Sequence, residues 1–517
     1  MKIARRTASD IINLALDTID RGKQALIFVN TRASAEKTAE DIAKAIDSIS
    51  LDELAHKLGH VLSSPTKQCK RLEKCARRGV VFHHAGLVSE QRELIEDQFR
   101  DGVIRIICCT PTLAAGLDLP AFRAIIKDLK RFGGGGSWGM SDIPVLEYLQ
   151  MAGRAGRPGK EEYGEAICIA SDEAMQEAIY EKYVCGEPEE IYSKLAVEPV
   201  LRFYVLSLVA TRFVRTKTEL YDFFSKSFWA FQFQDMAKLK WIIDKMITLL
   251  EEWGFIESTE NQRDFVAANE LQSGRLSATR LGERVAQLYI DPLTAHHLVE
   301  CLGKGCESDL GYLHMVSSTL EMRPYLKIGK NEWDVLDEEY VRVEDELILK
   351  APAVYSDDYF EYMQTVKTAL FLKEWCDEMQ EDYLLDKYKI RPGEIRAKID
   401  RADWLLYAAH ELAKLLELHR LMTPLAKLRV RVKHGVKEEL LPLLRLRGVG
   451  RVRARTLFDA GCESLGALKS FDTLKLASLV GKKLAVDLKS QVGVDVDPLT
   501  VEDFKIQQKG QTNLHSF

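Results

Sequence analysis

The feature that most constrains the fold is a series of short apolar runs, each followed by polar residues and then by a helical pattern. Four such runs are QALIFVN at 24–30, GVVFHHAG at 79–86, VIRIICC at 103–109 and AII at 124–126, and a fifth, EAICIA, lies at 165–170. Runs of this length are typical of strands that are buried on both faces of a parallel sheet. The alternation of strands and helices predicts an open α/β sheet with its site at the carboxyl edge of the strands.

The end of the first run has the features of a phosphate-binding turn. Thr31-Arg32-Ala33-Ser34 opens a predicted helix that continues to about Ile46, and its hydroxyl groups suit an N-terminal cap. A strand that runs into a helix N-terminus places backbone amides and side-chain donors where a phosphate can bind. Taken alone, the pattern also fits any α/β loop.

Length and composition narrow the class of protein. A chain of 517 residues predicts about three to five domains. No stretch of eighteen consecutive apolar residues occurs, and the first residues lack the apolar segment of a secretory signal, so we expect no membrane span. Ten cysteines without a C-x-x-C pair argue against zinc and favour the reducing cytoplasm. The net charge of −6 excludes a uniformly basic nucleic-acid binder, so only local basic clusters matter.

The segment YLQMAGRAGRPG at 148–159 carries two arginines, Arg154 and Arg157, each preceded by glycine, after a predicted helix that includes Gln150. A guanidinium is planar and permanently charged, so it suits the charge that develops on the γ-phosphate of ATP during hydrolysis. The alternative is a solvated basic loop.

A glycine-rich stretch, KRFGGGGSWG at 130–139, lies between the fourth strand and these arginines. Four glycines between basic and aromatic residues predict a hairpin tip. Phe132 or Trp138 would then act as a wedge against a base pair. A mobile loop without that role is the alternative.

Four blocks, QALIFVNTRASAE, VVFHHAGL, CTPTLAAGLDLP and YLQMAGRAGRPG, occur in this order along the chain. They resemble motifs IV, IVa, V and VI of superfamily-two helicases, and in particular of the archaeal HelQ-like (Hjm) DNA repair helicases. Members of that family unwind duplexes in the 3′ to 5′ direction using ATP. The resemblance implies a RecA-like α/β domain at 1–190, followed by mainly α-helical domains.

The same resemblance implies roles for individual residues. Arg154 and Arg157 would contact ATP, with Gln150 beside them, and Gly116 and Asp118 would lie near the nucleotide. The glycine hairpin with Phe132 and Trp138 would be the strand-separating pin. The backbone of the tracking DNA strand would be contacted by Asn30, Thr31, Arg32 and Thr110.

The chain departs from the family pattern in one large respect, because it contains no P-loop, G-x-x-x-x-G-K-[ST]. Every Gly-Lys pair is followed by a residue other than Ser or Thr. The stretch DELAH at 52–56 does not follow a buried strand, so it is not a DExH box. ATP and Mg²⁺ would both require a further RecA-like domain, and we expect no ATP hydrolysis by this chain alone. The resemblance therefore indicates the C-terminal portion of a helicase, either truncated or encoded as a separate subunit.

The family pattern divides the rest of the chain into further domains. Residues 195–285 resemble a winged helix, for which we expect a bracing role rather than DNA binding. Residues 286–425 resemble a helical ratchet domain, residues 426–500 a basic helix-hairpin-helix module, and residues 501–517 are an expected flexible tail.

The predicted ratchet helix contains Trp404 with either Arg396 or Arg401. A cation and an indole on one helix face can hold a phosphate and stack a base of single-stranded DNA. Trp404 is followed by two leucines, so a place in the hydrophobic core is the alternative.

The strongest basic cluster surrounds LRGVGRVRA at 446–454, which resembles a helix-hairpin-helix turn. Gly448 and Gly450 would let backbone amides approach a DNA phosphate, and Arg451 would add salt-dependent affinity. A solvated basic face is the alternative.

The sequence thus predicts the C-terminal part of an ATP-dependent 3′–5′ DNA helicase for repair or stalled forks, located in the cytoplasm with the nucleoid. Expected partners are single-stranded and forked DNA, the missing RecA-like domain in cis or as a separate subunit, and a sliding clamp, since Gln511–Phe517 resembles a clamp-binding peptide without its second aromatic residue. A different class remains open, namely a non-catalytic DNA-binding protein built on a degenerate motor domain. The presence of both Arg154 and Arg157 favours the helicase, because a protein that only binds DNA has no need of arginines that contact ATP. A related RNA helicase fits the basic helix-hairpin-helix cluster less well.

Overall fold

The structure is a computed structural model that describes residues 3–62, 65–114, 119–132, 140–157, 159, 161–195, 197–258, 275–305 and 308–495. The chain forms two compact units. The first contains Met1–Ile191 and Glu381–Arg396, and the second contains Tyr192–Gln380 and Ala397–Phe517.

The first unit is built on a five-stranded parallel sheet with the strand order β2-β3-β1-β4-β7. Ala25 at the start of the central strand pairs with Ile106 on one side and with Arg123 on the other, so the three strands begin level with one another. The predicted parallel sheet is confirmed. Its strands are β1 Ala25–Phe28, β2 Val80–His83, β3 Ile106–Cys109, β4 Arg123–Ile126 and β7 Glu165–Cys168.

Helices surround this sheet and bury its apolar strands. The four residues of β1 are all buried, as are those of β2, β3 and β4. Side chains on both faces of the sheet therefore belong to one hydrophobic core. The helices are α1 Asp10–Asp20, α2 Arg32–Lys44, α3 Asp52–Gly59, α4 Lys67–Ala76, α5 Ser89–Arg100, α6 Val145–Ala152 and α7 Glu173–Ile179.

A two-stranded antiparallel ribbon follows the fourth strand of the sheet. Its strands are β5 Lys130–Phe132 and β6 Met140–Asp142, and Phe132 pairs with Met140. These are the two arms of the predicted glycine hairpin. Residues 133–139, including Trp138, lie outside the described residues.

The second unit is mainly helical. It contains one antiparallel ribbon, β8 Ile256–Ser258 with β9 Leu276–Ala278, between helices of the predicted winged-helix segment. Its helices up to residue 380 are α8 Glu198–Ala210, α9 Lys217–Ser225, α10 Phe228–Phe233, α11 Met236–Glu252, α12 Arg280–Leu288, α13 Pro292–Lys304, α14 Asp309–Ser317, α15 Trp333–Val343 and α16 Asp357–Cys376.

The remaining helices begin with a segment that belongs to the first unit. That segment contains α17 Glu381–Tyr388 and the start of α18 Pro392–Leu415. The later helices are α19 His419–His434, α20 Arg451–Asp459, α21 Leu465–Ser470, α22 Thr473–Val480 and α23 Lys482–Gln491. None of the helices that the structure describes is long and apolar enough to span a bilayer.

A buried ion cluster around Arg123 joins three elements of the first unit. Arg123 lies at the start of β4 and is fully buried. Its Nη1 lies 2.7 Å from Asp17 Oδ2 on α1, and its Nε donates to Glu165 Oε2 on β7 at 2.5 Å. Nη1 also donates to Thr18 Oγ1 at 2.9 Å. A charge in this position is tolerated because two carboxylates and a hydroxyl satisfy it.

We predict that Arg123→Met lowers the free energy of unfolding by about 3 kcal/mol, because it leaves two partly buried carboxylates without their cation. Urea denaturation followed by circular dichroism measures the change. Arg21→Met is the matched control, since exposed Arg21 also pairs with Asp17, at 2.8 Å. It should cost at most about 1 kcal/mol. Equal losses in the two variants would contradict the structural role of the cluster.

Candidate functional site

A cavity of about 370 Å³ lies at the carboxyl edge of the sheet. It is lined by residues that follow β1, β2, β3 and β4, together with residues of the ribbon and α6. Because parallel strands end at the same edge, the polar residues after each strand come together there. The cavity gathers all four of the predicted strand-contacting residues, Asn30, Thr31, Arg32 and Thr110.

Hydrogen bonds hold these side chains in place. Asn30 is fixed by its backbone N, which donates to Asp128 Oδ2 at 3.1 Å, and by its Nδ2, which donates to Lys130 O at 3.2 Å. Thr31 is the N-cap of α2, with its Oγ1 accepting from Ser34 N at 3.0 Å, as its sequence position predicts. The Thr110 and Thr112 hydroxyls lie 2.9 Å apart. The edge therefore offers amide and hydroxyl groups on a rigid frame.

Acidic side chains accompany the cations at this edge. Arg32 pairs with Glu394, and Arg131 donates to Glu147 at 2.7 Å. Arg32 is thus engaged within the protein, and a DNA phosphate would have to share or displace that ion pair. This pairing was not predicted from the sequence.

The opposite, amino edge of the sheet carries a second cavity of about 710 Å³, which contains both arginines of the GRAGR segment. The backbone of that segment pairs with the chain that enters β4. Ala121 N donates to Arg154 O at 2.9 Å, and Gly156 N donates to Ala121 O at 2.7 Å. The sequence did not indicate at which edge Arg154 and Arg157 lie, and the structure places them at the amino edge, away from the site predicted at the carboxyl edge. The physical reason is connectivity, since the loop after α6 returns to the amino edge to begin β7.

Two glycines allow this loop to approach the start of β7. Gly156 has a φ of +93°, a conformation that disfavours residues with a Cβ. A Cβ at Gly164 would lie 2.1 Å from Gly156 N. The glycines therefore serve close backbone packing.

Carbonyl oxygens accept hydrogen bonds from both arginines. Arg154 Nε donates to Ala114 O at 3.1 Å, and Arg157 Nε donates to Pro120 O at 3.0 Å. Arg157 Nη2 also donates to Gln24 Oε1, and the guanidinium lies 5.7 Å from the centre of the Phe99 ring. Burial lowers the pKa of Arg157, but a guanidinium stays charged under all ordinary conditions.

The other residues predicted near the nucleotide are placed less centrally. Gln150 is exposed on the last turn of α6 and is not among the described residues that line the arginine cavity. Gly116 and Asp118 lie outside the described residues.

A buried polar network behind the carboxyl edge was missed by sequence reasoning. Its centre is Glu36 on α2, which is 3% exposed. Its Oε1 accepts from Arg391 Nε at 2.9 Å and from Gln68 Nε2 at 3.0 Å, and its Oε2 pairs with Arg71. The one available signal was weak, because Glu36 follows Arg32 by four residues on one helix face.

His84 completes this network in a defined tautomer. Gly86 N donates to His84 Nδ1 at 3.1 Å, so the ring proton lies on Nε2, which donates to Glu36 Oε1 at 3.2 Å. Burial raises the pKa of Glu36, but the hydrogen bond from His84 and the charge of Arg391 outweigh this effect and hold the pKa well below its usual value. Glu36 is therefore a charged centre of the network.

The network fixes the segment Glu381–Arg396 within the first unit, whereas the sequence pattern assigned this segment to a helical domain at 286–425. Gly393 N donates to Gly86 O at 3.0 Å. A Cβ at Gly393 would lie 2.3 Å from Leu87 O, so only glycine permits this approach. Contacts that join distant parts of the chain account for the difference.

The predicted ratchet residues on α18 are all engaged within the protein. Arg396 belongs to the first unit and donates to Glu381 at 3.0 Å. In the second unit, Arg401 Nη1 donates to Arg323 O at 2.7 Å, and Trp404 Nε1 donates to Leu288 O at 3.0 Å. Trp404 is half-buried, so its exposure lies between that expected for a base-stacking residue and that expected for a core residue. Of the two candidate arginines, Arg401 is the one that lies in the same unit as Trp404.

The glycine turn before α20 has the predicted backbone but a different arginine arrangement. Gly448 has a φ of +81°, and a Cβ at Gly450 would meet nothing within 4 Å, so the amide end of α20 is open there. Arg451 does not stand over this turn. Its guanidinium lies 4.7 Å from the centre of the Trp375 ring and donates to Met379 O at 2.6 Å. Arg451 thus contacts residues at and just after the end of α16, and its predicted contact with DNA stays a prediction.

We predict that Glu36→Gln weakens the dependence of stability on acid. A carboxyl whose pKa is depressed in the folded state contributes stability above its unfolded pKa, about 4.3, and loses it as the pH falls below that value. Thermal unfolding between pH 7 and pH 3 should therefore show a smaller loss of midpoint in Glu36→Gln than in the unmodified chain. Glu53→Gln, at a glutamate whose side chain is 84% exposed, is the control and should follow the unmodified chain. An unchanged acid profile in Glu36→Gln would contradict the assignment.

Comparison with known proteins agrees with this architecture. Residues 59–159 match the family described as "Helicase conserved C-terminal domain", and residues 310–435 match "Archaeal helicase, domain 4". The chain is 39% identical to the "ATP-dependent DNA helicase Hel308" of Methanocella arvoryzae over 528 aligned positions, which cover 98% of this chain and 68% of the relative. It is 38% identical to the protein of the same name from Pyrococcus horikoshii over 493 positions, covering 93% of this chain and 66% of the relative. The chain thus spans about two thirds of the length of these relatives and belongs to the family of Hel308-like archaeal superfamily-two helicases.

Proposed function

We propose that this chain supplies the second RecA-like domain and the DNA-gripping helical domains of an ATP-dependent 3′–5′ DNA helicase that acts in repair or at stalled forks. One observation carries the proposal, namely two cavities at opposite edges of one parallel sheet. The cavity at the amino edge is lined by Arg154 and Arg157, and the cavity at the carboxyl edge is lined by residues that include amide and hydroxyl groups. A motor needs a nucleotide site and a strand site on one rigid body, so that a change at one site moves the other.

The amino-edge cavity fits the γ-phosphate end of ATP. Arg154 and Arg157 both line it, and their guanidinium groups donate to the carbonyl oxygens of Ala114 and Pro120. In the proposed reaction the two guanidinium groups stabilise negative charge that develops as the terminal phosphoryl group is transferred to water. Gln150, Gly116 and Asp118 are proposed to lie near the nucleotide, as the family resemblance implies.

Mg²⁺ does not fit the residues of this chain that the structure describes. Within those residues, no group of three or more His, Cys, Asp or Glu side chains is gathered to hold a metal ion. The sequence also contains no P-loop. The phosphate cradle, the metal ligand and the residue that activates water are therefore proposed to come from a P-loop RecA-like domain, in cis or as a separate subunit.

The carboxyl-edge cavity is proposed to contact the backbone of the tracking strand. Asn30, Thr31 and Thr110 present amide, hydroxyl and backbone groups to it, and such donors bind phosphate oxygens without reading base sequence. Asp128 and Glu147 line the same cavity and repel a phosphate that strays from these donors. The strand is thereby confined to a narrow path. The pin with Phe132 and Trp138 is proposed to open the duplex.

The second unit is proposed to hold the separated strand. Trp404 with Arg401 would grip single-stranded DNA, and the amide end of α20 at Gly448 and Gly450 would contact a phosphate. The segment 195–285 would brace the motor as a winged helix, and the tail Gln511–Phe517, which lies outside the described residues, would bind a sliding clamp. Forked DNA and a nucleoid-associated place in the cytoplasm complete the proposal.

We predict that the chain alone shows no ATP hydrolysis with single-stranded DNA, and that adding a separately produced P-loop RecA-like domain from a Hel308 relative restores it. In that mixture Arg157→Ala should lower kcat by about 10³-fold, the usual cost of removing an arginine finger. Phosphate release measured at saturating ATP reports the rate. Arg21→Ala, at an exposed arginine of the same unit, is the control and should leave kcat unchanged.

Two outcomes would contradict the proposal. Turnover by the chain alone would show that it contains a complete ATPase site. Absence of turnover in the mixture, with single-strand binding intact, would favour the non-catalytic DNA-binding alternative.

A further inference from the structure

We infer that Gln24 is a positioning residue for Arg157, because it orients the guanidinium toward the nucleotide without neutralising its charge. The inference rests on the proposed ATPase function for its catalytic meaning. Gln24 immediately precedes β1 and is 2% exposed. Gln24 is the first residue of the block QALIFVNTRASAE, and the family resemblance assigns it no role.

The backbone of Gln24 is fixed in the sheet. Its carbonyl oxygen accepts from Arg123 N at 3.2 Å, which continues the pairing of β1 with β4. The side chain therefore starts from a rigid point at the amino edge, the edge where the arginine cavity lies. Movement of Gln24 would require the central strand to move.

The orientation of the Gln24 amide follows from its neighbours. Nε2 donates to Phe99 O at 2.8 Å and also to Ile104 O, so both amide protons have carbonyl acceptors. A flipped amide would place Oε1 against two carbonyl oxygens and would lose both bonds. Oε1 must therefore point to the other side, where it accepts from Arg157 Nη2.

Two further contacts fix the Arg157 guanidinium. Nε donates to Pro120 O at 3.0 Å, and the guanidinium lies over the Phe99 ring at 5.7 Å. Among the described residues Nη1 has no hydrogen-bond partner, so its two N–H groups and the second N–H of Nη2 are left for a phosphate. The guanidinium plane is thus set by contacts to Nε and Nη2, which leave a defined edge open.

Charge explains why a glutamine suits this position. A carboxylate in place of the Gln24 amide would hold Arg157 more tightly but would cancel the charge that a phosphate needs. Two acids line the same cavity, Glu161 and Glu162, and Glu161 is 3.5 Å from Lys23 Nζ. Burial lowers the pKa of Arg157 and the charge of Glu161 opposes this effect, but among the described residues neither acid forms a hydrogen bond with the guanidinium. Gln24 therefore orients the Arg157 guanidinium without neutralising its charge.

The experiment measures the reactivity of Arg157 toward p-hydroxyphenylglyoxal, which modifies accessible guanidinium groups, by peptide mass spectrometry of the full chain. Gln24→Met keeps the side-chain volume but removes the acceptor, and it should raise the modification rate of Arg157 about tenfold, the effect of losing one hydrogen bond to a charged group. Gln91→Met is the matched control. Gln91 is 1% exposed and its Nε2 donates to Leu58 O at 2.9 Å, but it does not contact Arg157. This control should leave the rate unchanged.

A second variant keeps the inference testable if Gln24→Met does not fold. Gln24→Glu loses the two bonds that the amide donates to Phe99 O and Ile104 O, but it retains an acceptor whose charge binds Arg157 more strongly, so Arg157 should stay as protected as in the unmodified chain. In the mixture with a P-loop domain, however, Gln24→Glu should lower kcat roughly tenfold and leave KM for ATP within about twofold, because the carboxylate cancels the charge of Arg157.

The outcomes separate this inference from the proposed function. Unchanged Arg157 reactivity in folded Gln24→Met, or an exposed Arg157 in Gln24→Glu, would overturn the positioning role. An unmodified mixture without any ATP hydrolysis would overturn the proposed function, and the reactivity data would still decide whether Gln24 holds Arg157.

Discussion

The parallel pairing of β1, β3 and β4 is the constraint on which the rest of the first unit depends. Level pairing, with Ala25 opposite both Ile106 and Arg123, places all strand ends at one edge and all strand starts at the other. Every loop must therefore reach one of two chemically distinct edges. The loops after β1 and β3 form the proposed strand site, and the chain before β4 and β7 forms the proposed nucleotide site. A displacement of the sheet as a rigid body would move both sites together, which is the mechanical requirement of a translocating motor.

Arginines in this unit fall into two groups according to the charge of their partners. Arg123 is fully buried and pairs with the carboxylates of Asp17 and Glu165. These carboxylates balance its charge, and the ion pairs join α1, β4 and β7. Arg157 instead faces Pro120 O and the amide of Gln24. Neutral acceptors fix a guanidinium in space but leave its field intact. Partner charge, more than burial, therefore distinguishes a structural arginine from one that is available to a phosphate.

The sequence predicted the sheet because each strand is a short apolar run with polar residues at its end. The sequence also predicted a site at the carboxyl edge, where the ends of parallel strands meet. In the structure, one cavity at this edge is lined by Asn30, Thr31, Arg32 and Thr110. The edge occupied by Arg157 was not predicted, because a sequence pattern shows that a loop follows a helix but not which end of the sheet it reaches.

Partnerships across long sequence distances were beyond prediction. Glu36 and Arg391 are 355 residues apart, and neither stands out by composition or spacing. Gln24 resembles any polar residue before a strand until its amide is seen between Phe99 O and Arg157. The predicted contact of Arg451 with DNA stays a prediction, but nothing in the sequence indicated that its guanidinium stacks on the Trp375 ring of α16.

The most direct test of the two-edge account is amide hydrogen exchange of the chain with and without saturating single-stranded DNA. The account predicts slower exchange in the segments 30–32 and 110–112, which follow β1 and β3, and unchanged exchange in the arginine segment 153–157. Slower exchange in the arginine segment, with no change after β1 and β3, would contradict it.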